Sequence, residues 1–186
     1  MFFQLKWLFI LLPVFSGSNY SLAQTTIFSA VSGQIQFKSD APLELIEAAS
    51  DELKGAINIS DGTFAFSVDI RSFQGFNSPL QREHFNENYL ESRKFPKATF
   101  SGKIIEKTTL DQDGDYTIRA KGKLDIHGVV RERIIKSQVQ VKNGKLTVTS
   151  EFTVLLDEHG IAIPKIVHHK IAEEIQVRLK ADFEKK

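Results

Sequence analysis

Thr63-Phe64-Ala65-Phe66-Ser67-Val68-Asp69-Ile70-Arg71 alternates without a break. Phe64, Phe66, Val68 and Ile70 share one face, and Ser67, Asp69 and Arg71 take the other. A period of two is the period of an extended strand with one dry and one wet side, so the stretch is read as a strand over Thr63 to Arg71. The same pattern recurs on the C-terminal side. Asp115 to Asp125 sets Tyr116, Ile118, Ala120 and Leu124 against Asp115, Thr117, Arg119, Lys121 and Lys123. Lys145 to Leu156 turns Leu146, Val148, Phe152 and Val154 inward, and Glu174 to Phe183 does so with Ile175, Val177, Leu179, Ala181 and Phe183. Sheets with one solvated face are antiparallel, because parallel sheets are covered on both sides.

The punctuation between these runs supports hairpins. Asp61-Gly62, Asp113-Gly114, His127-Gly128 and Asn143-Gly144 fall between strand-like segments, where tight turns need residues tolerant of positive φ. About eight long, sequential antiparallel strands favour a closed up-and-down barrel of lipocalin-like form, which also removes the exposed sheet edges. A β-sandwich is the competing architecture. One segment departs from alternation. From Pro79 to Ser92, Leu80, His84, Phe85 and Tyr89 recur at helical or near-helical spacing, and Ser78 before Pro79 suits an N-cap with proline in the first turn. This predicts a short amphipathic helix near a barrel mouth, followed by a strand over Ala98 to Lys107.

Composition sets the outer limits. The chain has 186 residues, 41% hydrophobic and 25% charged, with a formal charge of +1 and no cysteine. That excludes a disordered chain, a disulfide framework, a thiolate metal site and a cysteine nucleophile. The balanced charge argues against a nucleic-acid partner, which calls for a basic excess. Trp7 to Phe15 is an apolar run preceded by Lys6, too short for a stable bilayer span of ~20 residues. It leads to Ser21-Leu22-Ala23-Gln24, with small residues at the positions a signal peptidase reads. The expectation is a signal peptide over residues 1–23 and one domain over 24–186, exported to the periplasm or the extracellular space. An uncleaved N-terminal anchor is the alternative.

Catalytic and metal motifs are largely missing. There is no phosphate-binding glycine loop, no Gly-x-Ser-x-Gly elbow and no His-Glu-x-x-His pair. Asp111, Asp113 and Asp115 open like a calcium loop, but Gly122 stands where a bidentate glutamate is required. His168 and His169, read as strand neighbours, would point to opposite faces and could not ligate together with His159. No catalytic, metal-ligating or cofactor-binding residue is assigned.

The chemistry resides in the aromatic residues instead. Phe64, Phe66, Phe73, Phe76, Phe85, Tyr89, Phe95 and Phe100 lie within 37 positions. Phe64, Phe66 and Phe100 suit a packed core as well as a cavity wall, since an eight-stranded barrel can be filled by its own side chains or hold a ligand. Phe73, Phe76, Phe85 and Tyr89 fall on the irregular segment and its helix, where they suit an entrance. With Leu80, Phe95 and Phe152 they form the candidate cavity and mouth. Arg82 and His84 are candidates to meet a polar head group, although Arg82 can equally pair with Glu83 or Glu87.

Several of these stretches resemble a known family. Ile70-Arg71-Ser72-Phe73, then Arg82-Glu83-His84-Phe85, then Lys94-Phe95-Pro96-Lys97-Ala98-Thr99-Phe100-Ser101-Gly102 are similar to the signature of the YceI-like, polyisoprenoid-binding family. Gly122-Lys123-Leu124-Asp125-Ile126-His127-Gly128-Val129 and Leu156-Asp157-Glu158-His159-Gly160-Ile161 match in the same order. The resemblance implies an exported, extended lipocalin-like barrel holding a long-chain amphiphile, such as a polyisoprenoid, an isoprenoid quinone or a fatty-acid amide. It also implies transient membrane contact and no enzymatic step, with a monomer or a dimer equally compatible. A packed barrel acting as an interaction module, and an enzyme acting on a lipid, are the alternatives.

Overall fold

The computed structural model describes residues 26–107 and 109–186. The expected signal peptide, residues 1–23, lies outside them. Nine strand segments follow in order: β1 (Ile27–Asp40), β2 (Leu45–Ser50), β3 (Lys54–Asn58), β4 (Thr63–Asp69), β5 (Lys97–Ile104), β6 (Gly114–Ile126), β7 (Val129–Lys142), β8 (Lys145–Leu155) and β9 (Glu174–Lys185). Neighbours pair antiparallel throughout, and β1 pairs with β9 from Phe28–Lys185 to Lys38–Gln176. That last ladder closes the sheet on itself and excludes the sandwich. β2 and β3 share one edge of β1, against Ile35–Asp40 and Ile27–Ser29 respectively. The nine segments therefore fill eight positions of a closed barrel with one short helix.

The alternating rows point where their period requires. Ile118, Ala120, Leu124, Leu146, Val148, Val154, Val177, Ala181 and Phe183 are all buried, while their odd-numbered or even-numbered neighbours face water. Two hairpins are built as the turn residues dictate. His127-Gly128 joins β6 to β7 with φ of 55° and 71°, and Asn143-Gly144 joins β7 to β8 with φ of 51° and 72°. Paired positive φ angles make both of them type I′ turns, whose twist matches that of the strands. Asp113 stabilises the second, its carboxylate accepting from the Asn143 N–H at 3.0 Å. Asp115 accepts from Gln140 at 3.0 Å.

The two ends of the barrel differ. At one end Phe28, Leu110, Val141, Leu146 and Phe183 fill the interior, with Leu146 and Phe183 wholly buried. At the other, between β4 and β5, the chain leaves the sheet. β4 stops at Asp69 rather than running to Arg71, because the Asp69 carboxylate accepts from the Arg71 N–H at 2.9 Å and caps a single 3₁₀ turn over Ile70–Ser72. The helix α1 (Pro79–His84) begins as expected, with Ser78 accepting from the Gln81 N–H. It does not continue as α-helix to Ser92. A π turn over Phe85–Tyr89 follows, in which the Leu90 N–H bonds the Phe85 carbonyl at 2.9 Å. The wider turn rotates the dry face onto Phe85, Tyr89 and Leu90, leaving Leu80 and His84 exposed. His168 and His169 lie in the segment between β8 and β9 and not on a strand. Their ring centroids are 3.7 Å apart, and the His168 Nδ1 meets the Lys165 carbonyl.

Candidate functional site

Three layers run inward from the irregular end. The innermost is a cavity of about 80 Å³ whose walls come from most of the barrel. Phe64 and Phe66 of β4, Phe100 of β5, Leu124 of β6, Ile135 of β7, Phe152 of β8, Leu179 of β9 and Ile35 of β1 border it. No titratable side chain does. The wall is close-knit here because β5 and β6 meet at two glycines. A Cβ on Gly102 would stand 2.1 Å from the Lys121 carbonyl oxygen, and one on Gly122 would stand 2.4 Å from that of Ser101. Their absence lets the strands approach and leaves room for the Phe100 ring, which lies 5.0 Å from that of Phe64.

The middle layer is a cluster of four phenylalanines. Phe85 stacks on Phe37 with centroids 5.3 Å apart and planes at 14°, and it lies 5.0 Å from Phe76 and 5.9 Å from Phe73. Phe37 also touches Phe73 and Phe76, at 5.5 and 5.9 Å. Phe37 belongs on its other side to the group containing Ile35, Phe100 and Phe152, which border the cavity. The cluster thus links the cavity wall, through Phe37, to the outer pocket, which Phe76 borders.

The outermost layer is an open pocket of about 470 Å³ bordered by Gln74, Gly75, Phe76, Ser78, Pro79, Arg82, Glu83 and Asn86. Here the polar groups gather. The Arg82 Nη2 donates to the Arg71 carbonyl at 2.9 Å, and the Asn86 amide donates to the Arg82 carbonyl at 2.9 Å. The Arg82 Nε and the Asn86 Oδ1 are buried without a protein partner. Two residues at this border thus each keep one spare polar atom, a donor on Arg82 and an acceptor on Asn86.

The sequence candidates divide among these layers. Phe64, Phe66, Phe100 and Phe152 border the cavity, Phe73, Phe76 and Phe85 form the cluster, and Arg82 borders the outer pocket. Leu80 and His84 are exposed on α1 and border neither space. Tyr89 packs with Ile70, Leu90 and Ile161 beside the mouth, and burial pushes its phenol above the ordinary tyrosine value. Phe95 lies outside the barrel's interior, its ring edge on His127 at 4.8 Å. That histidine ties the rim together, with Nε2 at 2.7 Å from the Glu91 carboxylate and Nδ1 at 3.2 Å from the His159 carbonyl. The residue that sequence reading missed is Phe37. Its signal was present in Gln34-Ile35-Gln36-Phe37-Lys38, but an irregularity between Ala30 and Ser32 slips the alternation upstream of it.

Comparison with protein families matches the YceI-like domain over residues 14–183. Comparison with curated proteins gives no significant match. Among solved structures, a polyisoprenoid-binding domain from Saccharophagus degradans, described as implicated in plant cell wall breakdown, superposes with a TM-score of 0.75 at 15% identity. It covers 88% of this chain and 100% of its own. BcnA of Burkholderia cenocepacia gives 0.68 at 14% identity, over 81% of this chain and 95% of its own. The YCEI protein of Campylobacter jejuni gives 0.55 at 14% identity, over 99% and 91%. At these identities the likeness is one of fold.

Proposed function

The chain belongs to the YceI-like family, and from that premise we propose that its barrel is a binding protein for a long-chain amphiphile. The observation that carries the reading is the layered path from a polar mouth pocket, through a ring cluster, to an interior without a titratable side chain. Apolar walls alone suffice to hold such a ligand, since each CH₂ removed from water contributes ~0.8 kcal/mol before ordering costs are subtracted. Polyisoprenoids, isoprenoid quinones and fatty-acid amides all fit that description. The likeness to the polyisoprenoid-binding domain of Saccharophagus degradans favours the first of them. Arg82 and Asn86 suit the polar end. An enzymatic reading finds no support in the interior, where no acid or base borders the cavity to activate a hydroxyl. The leader-like N-terminus suits a protein working outside the cytosol, in the periplasm or beyond it, where it would carry, store or shield its lipid.

One observation favours a second reading. An interior of about 80 Å³ is smaller than the ~150 Å³ that seats a single benzene ring, and far below the ~300 Å³ at which ligand pockets begin. A barrel that stayed this way would be a packed interaction module. On the binding reading the ring cluster must swing aside for a chain to enter. Native mass spectrometry of the exported protein, purified without detergent beside a denatured aliquot, decides between them. A discrete added mass, lost on denaturation and extractable as prenyl or acyl lipid, is expected. A clean apo mass that also refuses added quinone, polyprenol and fatty amide would leave the packed module standing. The denatured mass also tests cleavage after Ala23.

A further inference from the structure

Two hydroxyls face each other inside this apolar barrel. Ser137 follows Ile135 on the inward row of β7, and Ser150 follows Val148 on that of β8. They are register partners, both border the inner cavity, and Ser150 donates to Ser137 at 2.6 Å. Ser67 and Thr99, the other hydroxyls at its border, fall on the alternate, outward register of β4 and β5.

A serine pair has two hydroxyl protons, and one mutual bond uses one of them. Whichever serine donates, a proton is left over. A second serine pair in the same protein shows the contrast. Ser72 donates to the Asp69 carbonyl at 2.6 Å, so Ser50 must donate to Ser72, and Ser50 in turn accepts from the Glu52 N–H at 3.1 Å. That chain ends on backbone and satisfies both protons. The chain at Ser137 ends in the cavity, where the remaining border is aliphatic and aromatic. A water there would meet two polar partners, fewer than the three that buried waters usually find.

Buried hydroxyls are normally paired on all sides they can be, and an uncommitted donor aimed into a binding space is the arrangement that recognises an acceptor. Resting on the reading of the barrel as a lipid-binding protein, we propose that Ser137 and Ser150 form an interior anchor for a carbonyl oxygen on the bound chain. The barrel then selects lipids that carry an ester, amide or quinone carbonyl over chains of pure hydrocarbon. Ser150 lies five residues short of the end of β8 at Leu155, so the anchor sits on the order of 17 Å along the strand from the rim. A carbonyl reaching it is well inside the barrel and separate from the Arg82 pocket.

The test measures binding of methyl oleate, oleamide and 1-octadecene to the detergent-free protein by native mass spectrometry titration. The expected result is a preference of several-fold to about tenfold for the two carbonyl compounds, the worth of one buried hydrogen bond. The Ser137→Ala/Ser150→Ala double variant should lose that preference while still taking up octadecene, and Ser137→Thr should retain it. Uptake of all three probes without preference by the unaltered protein overturns the anchor alone, and so does a preference that survives the double alanine variant. Refusal of all three overturns the lipid-binding reading and the anchor with it. The ranking in the unaltered protein decides the matter even where a variant fails to fold.

Discussion

Phe85→Ala separates a gate from a piece of core. Phe85 contacts three other rings at 5.0 to 5.9 Å and is only partly buried. Removing a fully buried phenylalanine costs about 3–5 kcal/mol, so a half-buried one costs roughly 2 kcal/mol. In a domain of this size that lowers Tm by roughly 4–8 °C. The kinetic effect should be larger in proportion. Opening the path past Phe85 breaks three ring contacts worth about 1 kcal/mol each beyond their area, a barrier of about 3 kcal/mol. Without the ring that barrier is gone, and lipid uptake and release both quicken by about two orders of magnitude. Stopped-flow mixing with a fluorescent polyene fatty chain, run beside thermal melting, reads both quantities. A Tm that falls by the expected amount while the rates stay unchanged would refute the reasoning and make Phe85 ordinary core.

Three further outcomes follow from other parts of the barrel. Gly102→Ala places a methyl 2.1 Å from a backbone oxygen of β6 that no rotamer change can move, so it should cost 3 kcal/mol or more and lower Tm by at least about 6–12 °C. Circular dichroism melting checks it. His159→Ala empties a site that is 1% exposed and removes the bond from Nδ1 to the Val129 carbonyl at 3.0 Å, so a loss of about 2–4 kcal/mol is expected in chemical denaturation. Asp182 accepts from Thr147 at 2.7 Å and Ser32 at 2.9 Å, and these bonds hold its carboxyl below the usual carboxylate range. A lowered folded-state value means stability that is present above about pH 4, the unfolded value, and lost as pH falls through the folded one. The Tm gap between the protein and Asp182→Asn should therefore be constant from pH 8 to 5 and close below pH 4.

Much of the barrel could be read from period alone, and the exceptions share a cause. β6, β8 and β9 each keep one phase from end to end, so their inward apolar residues follow from counting in twos. β1 does not keep phase: Val31 is an extra residue between Ala30 and Ser32, 62% exposed, and beyond it the inward row restarts on the other parity. Phe37 was lost to that slip. The helix was placed from Ser78 and Pro79, which are local signals, but its π turn depends on Phe85 packing against Phe37 across the barrel. No local pattern encodes a contact 48 positions away in sequence. The serine pair was invisible for the opposite reason. Each serine falls on the inward parity of its own strand, but only the register of β7 against β8 sets the two hydroxyls side by side.

On the proposed binding function, the asymmetry of the two ends sets the direction of loading. From β4 to β9 each strand is held along both sides by a ladder of backbone bonds, and separating one breaks many at once. The far end is also filled by Phe183, Leu146 and Phe28, so entry there must displace buried core. The segment that connects β4 to β5 over this end is held differently. Gln74 and Ala49 exchange two backbone bonds at 2.8 Å, Asn77 bonds the Leu45 carbonyl, Gln81 bonds Glu44, and the Ile70 N–H bonds the Pro96 carbonyl. These are few, and most are near the surface. Local opening draws on the least stable unit of a fold, and a short helix ending in a π turn over an aromatic cluster is that unit here. A chain entering there passes the Arg82 pocket first, the rings second and the serine pair last. Its apolar end or its carbonyl can lead, and a carbonyl that leads reaches the hydroxyl proton that the inward-facing serine pair leaves uncommitted.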